Sequence, residues 1–234
     1  GFAPNRWDAL IEALAQEGYD KRDLLDAGLA VNNQDGRIYD RFRNRVMFPI
    51  IDIRGEVIGF GGRVMDDSTP KYLNSPDTPV YNKSRNVFAL NIAKKSKAGR
   101  VILTEGYMDT ISLHQAGFDS TVASLGTSLT PEHAQLLSRY FPEAIIAYDG
   151  DGAGVSAAQR AIPLLERAGT PYRCRQVESA FFTIFSASPQ VMFLSPFIEM
   201  VFFDHPPGRL WHRGQVPPVG AQVGGGQGQG CLLY

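Results

Sequence analysis

Residues 101–109 read V-I-L-T-E-G-Y-M-D, residues 123–127 read A-S-L-G-T, and residues 145–154 read I-I-A-Y-D-G-D-G-A-G. The first and last are apolar runs that end in carboxylates followed by glycine. Runs of four to six apolar residues bounded by such punctuation are the pattern of strands buried on both faces. Between them lie segments of helical length. One spans 107–116 and stops at Gly117. A second spans 131–140, with Thr130 at the N-cap and Pro131 in the first turn. A third spans 155–168 and stops at Gly169. Three β-α units joined by short loops predict an α/β fold, a parallel sheet with helices on both faces. Such sheets place their sites at the carboxyl ends of the strands. Glu105, Asp109, Asp149 and Asp151 all follow a strand end.

That placement suggests chemistry. The D-x-D of Asp149 and Asp151 is expected to point both side chains to one side, with Glu105 on a neighbouring strand and Asp109 one helical turn on. Clustered carboxylates resist ionising together unless a cation joins them. Oxygen ligands without nearby His or Cys favour Mg²⁺ or Mn²⁺ over zinc. Such a site serves phosphoryl or nucleotidyl transfer. Gly106, Gly150, Gly152 and Gly154 would keep it open to a polyphosphate. A single D-x-D-G is more simply read as turn and helix-capping acids without a metal. Two acidic motifs, each after a β-run, favour the metal reading.

Upstream, the helical pattern over residues 8–29 predicts a small subdomain with a buried Trp7/Leu10/Leu14 face and Asp8 near its N-terminus. Residues 37–64 change period, and R-V-M-F-P-I-I-D-I, R-G-E-V and I-G-F-G-G-R-V within them read as two strands around a turn at Arg54-Gly55. Arg37, Arg41, Arg43, Arg45, Arg54 and Arg63 crowd this region, and Asp35, Asp40 and Asp52 dilute the charge. Gly59, Gly61 and Gly62 would let a backbone or phosphate approach. Residues 66–90, interrupted by Pro70, Pro76 and Pro79, are expected to be irregular. Lys71, Tyr72, Lys83 and Arg85 there suit a surface that tracks a nucleic-acid strand.

The totals agree with this reading. The 234 residues carry a formal charge of −1 and are 44% hydrophobic. The two cysteines, Cys174 and Cys231, lack metal-type spacing. No apolar run is long enough for a membrane span, which points to the cytoplasm. After residue 174 the style changes. Lysine is absent beyond Lys97, half of the 14 phenylalanines fall in the last quarter, and the end is Gly/Gln-rich. This stretch is expected to be disordered or aberrant, and His205 and His212 in it have no evident ligand partners.

E-G-Y-M-D and Y-D-G-D-x-A-G resemble the two signature motifs of the Toprim domain. Together with R-V-M-F-P-I, G-F-G-G-R, T-P-K-Y-L-N-S-P, K-x-R and the opening G-F-A-P-x-x-W-D, they resemble the polymerase core of bacterial DnaG-type primases over about residues 1–173. The resemblance implies a basic, mixed α+β subdomain at 1–97, a Toprim domain at 98–173, and an unmatched stretch at 174–234. It implies synthesis of short RNA primers on single-stranded DNA from ribonucleoside triphosphates at a bacterial replication fork. Glu105, Asp149 and Asp151 would be metal ligands and, with Asp109, the catalytic acids. Arg63, Lys71, Tyr72, Asn74 and Lys83 would contact template or nucleotide. Zinc is expected only in a separate ribbon, and the replicative helicase through a separate domain. The family's third acidic motif, D-P-D, is not found after Arg173. Two alternatives stay open: another Toprim enzyme, such as a topoisomerase or nuclease, or an inactive core that only binds nucleic acid.

Overall fold

The computed structural model describes residues 1–177. The expectations for 178–234, including the fate of the Phe-rich stretch and of His205 and His212, lie outside the described residues.

The chain opens with a two-residue strand, β1 (Phe2–Ala3), then two short helices, α1 (Ala9–Gln16) and α2 (Lys21–Asp26). Asp20 caps α2 by accepting from the Arg22 and Asp23 backbone N–H groups. Asp8 does not serve α1 in this way. The carboxylate of Asp40, 2% exposed, accepts from the Leu10 and Ile11 N–H groups at 2.7 and 3.1 Å. A charge from another element thus takes up the unsatisfied amides of the first turn. Asp40 ends β3 (Ile38–Asp40), which pairs antiparallel with β2 (Ala30–Asn32). Ile11, Leu24 and Ala30 form the small core beneath. Trp7 is not in that core. It is 54% exposed, with the Arg43 guanidinium 4.1 Å from its ring centre and Tyr39 against its edge. It precedes the helix, so its side chain is not carried round to the inner face.

The Arg-rich stretch forms β4 (Arg45–Ile51) and β5 (Val57–Val64), a hairpin whose turn is held by Asp52. One Asp52 oxygen accepts from the Arg54, Gly55 and Glu56 N–H groups. The proline-interrupted segment was expected to be irregular. It instead supplies β6 (Tyr72–Asn74), which pairs with Gly61–Arg63 of β5 and completes an antiparallel sheet in the order β1-β4-β5-β6. Three of the glycines expected to admit a ligand are filled by the fold itself. A Cβ on Gly61 would lie 3.0 Å from Asn74 Oδ1 and the Tyr107 ring. One on Gly62 would lie 3.0 Å from Arg45, and one on Gly59 3.3 Å from Ser75.

After α3 (Leu90–Ala93) the pattern becomes parallel. The elements are β7 (Val101–Thr104), α4 (Tyr107–Gln115), β8 (Thr121–Ala123), α5 (Pro131–Ser138), β9 (Ala144–Asp149), α6 (Gly152–Arg167) and β10 (Tyr172–Val177). The strand order is β10-β9-β7-β8, all parallel. Right-handed crossovers with this order put α4 on one face and α5 and α6 on the other. Residue parity agrees. Val101 and Leu103 join Ala134, Leu137, Ala161 and Leu165 in one apolar cluster. Thr104, on the opposite face, has its hydroxyl 2.8 Å from that of Thr110 on α4. α6 begins at Gly152, three residues before the expected start, because Asp151 is its N-cap. β10 continues through Val177, so the boundary expected at Arg173 falls within a strand. Among the described residues no helix is long and apolar enough to cross a membrane.

The buried Asp40 carboxylate gives a direct test of the N-terminal packing. Asp40→Ala leaves two helix amides without an acceptor, and is expected to lower stability by about 1–3 kcal/mol. Thermal or urea unfolding measures this.

Candidate active site

Parallel strands share one carboxyl edge, and β7 and β9 are neighbours. Glu105 directly follows β7 and Asp149 ends β9, so two acids sit side by side at that edge. Glu105 Oε1 accepts the Asp149 N–H at 2.9 Å, which ties the two strand ends together. Asp109, in the first turn of α4, accepts the Gly106 N–H at 3.1 Å. Asp151 Oδ1 accepts the Gly154 N–H at 2.7 Å. Gly154 fits because it has no side chain. A Cβ there would stand 2.1 Å from the Asp149 carbonyl oxygen and 2.5 Å from Glu105 Oε1. Its role is close packing of α6 on the strand ends, not an opening for phosphate. Around Gly152 the space is open.

The strand alternation expected to point Asp149 and Asp151 to one side does not continue past Asp149. The chain leaves strand geometry at Gly150, and Asp151 turns to cap α6. Among the described residues no three His, Cys, Asp or Glu side chains meet closely enough to hold a metal as they stand. The donor chemistry nevertheless fits a hard divalent cation. The second oxygens of Glu105 and Asp151 and both oxygens of Asp149 accept no hydrogen bond among the described residues. The acids also act on one another. Burial, then Asp149 and Glu105, push the Asp109 carboxyl up to about 6. Burial raises Glu105, and Asp149 and Asp151 raise it further against the stabilising N–H bond. Burial and Asp151 raise Asp149. A cation would offset each of these shifts by stabilising the ionised carboxylates.

The basic residues lie beside this edge. Tyr107 follows Glu105-Gly106 and is buried, with its ring centre 5.1 Å from Phe48, 5.5 Å from Tyr72 and 5.7 Å from Phe88. Through Tyr107, β6 reaches the end of β7. Tyr72 is 42% exposed, and its hydroxyl accepts from Arg63 Nε at 3.2 Å. Asn74 reaches the loop after β8, where a Cβ on Gly126 would lie 2.8 Å from its Nδ2. Among the described residues its buried Oδ1 has no hydrogen-bond partner, and nor do the buried Tyr107 and Thr127 hydroxyls. Lys71 is exposed and Lys83 half-buried, and neither ammonium pairs with a carboxylate among the described residues.

Some contributors were not identified from the sequence. Arg41 donates to the Asn74 carbonyl at 2.9 Å, and the buried Arg45 donates to the Pro70 carbonyl at 2.8 Å. These arginines hold the β6 segment in place, though in the sequence they are indistinguishable from solvent-facing charge. Tyr107 carried a signal, since it stands inside E-G-Y-M-D, but its packing partners are distant in the chain.

The electrostatics give a stability expectation. A carboxyl raised to about 6 binds its proton more tightly in the folded chain than in the unfolded one. Stability therefore falls as pH rises from about 4 to about 6. Without divalent cation at pH 7.5, Asp109→Asn should be more stable than wild type by about 1–3 kcal/mol. The advantage should vanish near pH 4. Thermal unfolding across this range measures it, and a variant less stable at pH 7.5 would refute the raised proton affinity of Asp109.

Comparison with known proteins follows the same division. A family model described as "DNA primase catalytic core, N-terminal domain" matches residues 1–94, and one described as "Toprim-like" matches residues 102–180. DNA primase of Clostridium acetobutylicum is 50% identical over 170 residues, 72% of this chain and 28% of that protein. The chain thus spans under a third of the length of the curated relatives it matches. The Escherichia coli primase catalytic core superposes with a TM-score of 0.71 at 39% identity, covering 86% of this chain and 70% of that one. A DnaG primase catalytic domain solved bound to single-stranded DNA gives a TM-score of 0.72 at 41% identity, covering 83% of this chain and 66% of that one. In sequence and in fold, this chain belongs to the family of DnaG-type DNA primase catalytic cores.

Proposed function

We propose that this chain is the part of a DNA primase that joins ribonucleotides on a single-stranded DNA template. The carrying observation is the juxtaposition at Tyr107. The acidic carboxyl edge of β7 and β9 adjoins β6, which follows Lys71 and pairs with Arg63 of β5, with Tyr72 and Tyr107 in edge contact. Nucleotidyl transfer needs both halves: acids that tolerate a cation beside phosphate, and cations with an aromatic face that hold a polyanionic strand.

In this reading Glu105, Asp149 and Asp151 hold Mg²⁺ or Mn²⁺, and Asp109 completes the acidic set. The cation, when bound, neutralises charge on the phosphates during attack of the primer 3′-hydroxyl on the α-phosphate and departure of pyrophosphate. The chain's own residues do the rest. Gly154 seats α6 against Glu105 and so fixes the spacing of the strand ends. Arg63, Lys71 and Lys83 meet phosphate oxygens of template or nucleoside triphosphate. Tyr72 offers its exposed ring to a base, and Asn74 stands where β6 meets the loop after β8. A domain division near residue 97 separates the basic from the acidic half. The reading places the protein in the bacterial cytoplasm at the replication fork. Contact with a replicative helicase would belong to another part of a primase.

Lys71→Ala and Lys83→Ala should each weaken binding of a single-stranded oligonucleotide. Each should also flatten the slope of log K against log salt by about 0.7, the value for one lost phosphate contact on single strands. Unchanged slopes in both variants would refute the basic-face assignment. In a template-directed assay with ribonucleotides and Mg²⁺, Asp149→Ala should abolish primer synthesis and leave oligonucleotide binding largely intact. Binding without any synthesis by the wild-type chain would favour a core that only binds nucleic acid. Cleavage or relaxation of DNA would favour another Toprim enzyme.

A further inference from the structure

α5 starts with a capping box in which the third residue is His133, where Glu or Gln is usual. The His133 side chain is fully buried. The Thr130 hydroxyl accepts the His133 N–H at 3.1 Å, and His133 Nδ1 accepts the Thr130 N–H at 3.3 Å. A ring nitrogen that accepts from a backbone N–H carries no proton. The other nitrogen, Nε2, must then be the protonated one, and it lies 2.8 Å from the Lys83 carbonyl oxygen, to which it donates. The Thr130 hydroxyl donates to the Ser84 carbonyl at 2.7 Å. The Lys83 N–H in turn donates to Asp77 Oδ1 at 2.9 Å. A glutamate in this position could close the cap but offers no donor beyond it. The neutral imidazole closes it and still has a donor on its far side for a neighbouring loop.

The loop held in this way is in a useful place. Phe88, five residues after Lys83, donates its N–H to the carbonyl of Ala123 at the carboxyl end of β8, and its ring packs on Tyr107. The segment 82–88 therefore runs along the same sheet edge as Glu105 and Asp149. Its backbone is tied on both sides of Lys83, while the Lys83 ammonium has no carboxylate partner among the described residues.

We propose that His133, as the neutral Nε2–H tautomer, is a positioning residue that, together with Thr130, pins the 82–84 backbone to the start of α5 and so presents the Lys83 ammonium to phosphate. The inference rests on the assignment of Lys83 to phosphate binding made above. The ligand chemistry is a phosphate group, supplied either by the phosphodiester backbone of a single strand or by a nucleoside triphosphate.

The test compares His133→Asn, His133→Gln, Lys83→Ala and the double variant Lys83→Ala/His133→Asn in the full chain. Asn can accept the Thr130 N–H but is too short to reach Lys83, whereas Gln reaches as far as Nε2. Binding is read with a fluorescent single-stranded oligonucleotide and, separately, with ATP. The arm that responds identifies the phosphate source. His133→Asn should weaken binding in the same arm as Lys83→Ala, by about three- to tenfold, the loss of a hydrogen bond that orders a loop. His133→Gln should stay within about twofold of wild type, since it keeps a donor within reach of that carbonyl. The double variant should bind no more weakly than Lys83→Ala alone. Wild-type binding by His133→Asn while Lys83→Ala is weakened, or additive losses in the double variant, would overturn the positioning role alone. Wild-type binding by Lys83→Ala would overturn the phosphate assignment and the inference with it. A measurement on the unaltered chain needs no variant to fold. Nitrogen-15 NMR of the His133 ring should show a protonated Nε2 and a bare Nδ1, and the opposite tautomer would overturn the proposal.

Discussion

Tyr107 begins the helix that follows Glu105, and its ring is enclosed by Phe48, Tyr72 and Phe88. Those three residues come from β4, from β6 and from the segment leading to α3. One buried ring thus joins the antiparallel sheet to the carboxyl edge of the parallel one. Gly61 is glycine because this ring passes within 3.0 Å of where its Cβ would be. Aromatic pairs at these separations add to the area they bury. The consequence reaches beyond stability: wherever Tyr107 is held, β6 and the acids after β7 are held relative to one another.

Across that joint the two halves carry opposite charge, arranged in different ways. The basic half is distributed. Arg41 and Arg45 are spent on backbone carbonyls, which leaves Arg63, Lys71 and Lys83 toward the surface. The acidic half is concentrated and internally strained by like charge. Glu105 binds the Asp149 amide, Asp151 caps α6, and Asp109 binds the Gly106 amide, so each acid is positioned by a backbone N–H that also shapes a strand end or helix start. The same bonds keep the carboxylates from meeting at one point. The fold holds the acids near one another without assembling a finished metal cage, and the raised proton affinities of Glu105, Asp109 and Asp149 record their burial first and the neighbouring negative charge second.

The parallel half was legible because its signals are local. Each apolar run ends in Gly or an acid, and Thr130-Pro131 marks a helix start that the structure repeats. The failures trace to interactions that cross the chain. β6 is three residues long and bordered by prolines, and only its pairing with Gly61–Arg63 makes it a strand. Asp40 caps a helix that begins some thirty residues earlier, where Asp8 was the local candidate. Trp7 fits the helical period but lies before the helix, where Arg43 covers it from outside. The D-x-D alternation assumed that β9 continues past Asp149. The chain turns there instead, and a glycine-rich text that reads as loop is the first turn of α6. His133 carries no signal in the sequence, because its Lys83 partner is fifty positions away.

The central claim is that four mutually repelling carboxylates at the ends of β7 and β9 form a divalent-cation site. Thermal unfolding with and without millimolar Mg²⁺ at pH 7.5, for wild type and Asp149→Asn, tests it most directly. A ligand that binds only the folded chain raises its unfolding temperature in proportion to occupancy. The account predicts a Mg²⁺-dependent rise in wild type that is largely lost in Asp149→Asn. No rise in wild type, or an equal rise in both, would contradict it.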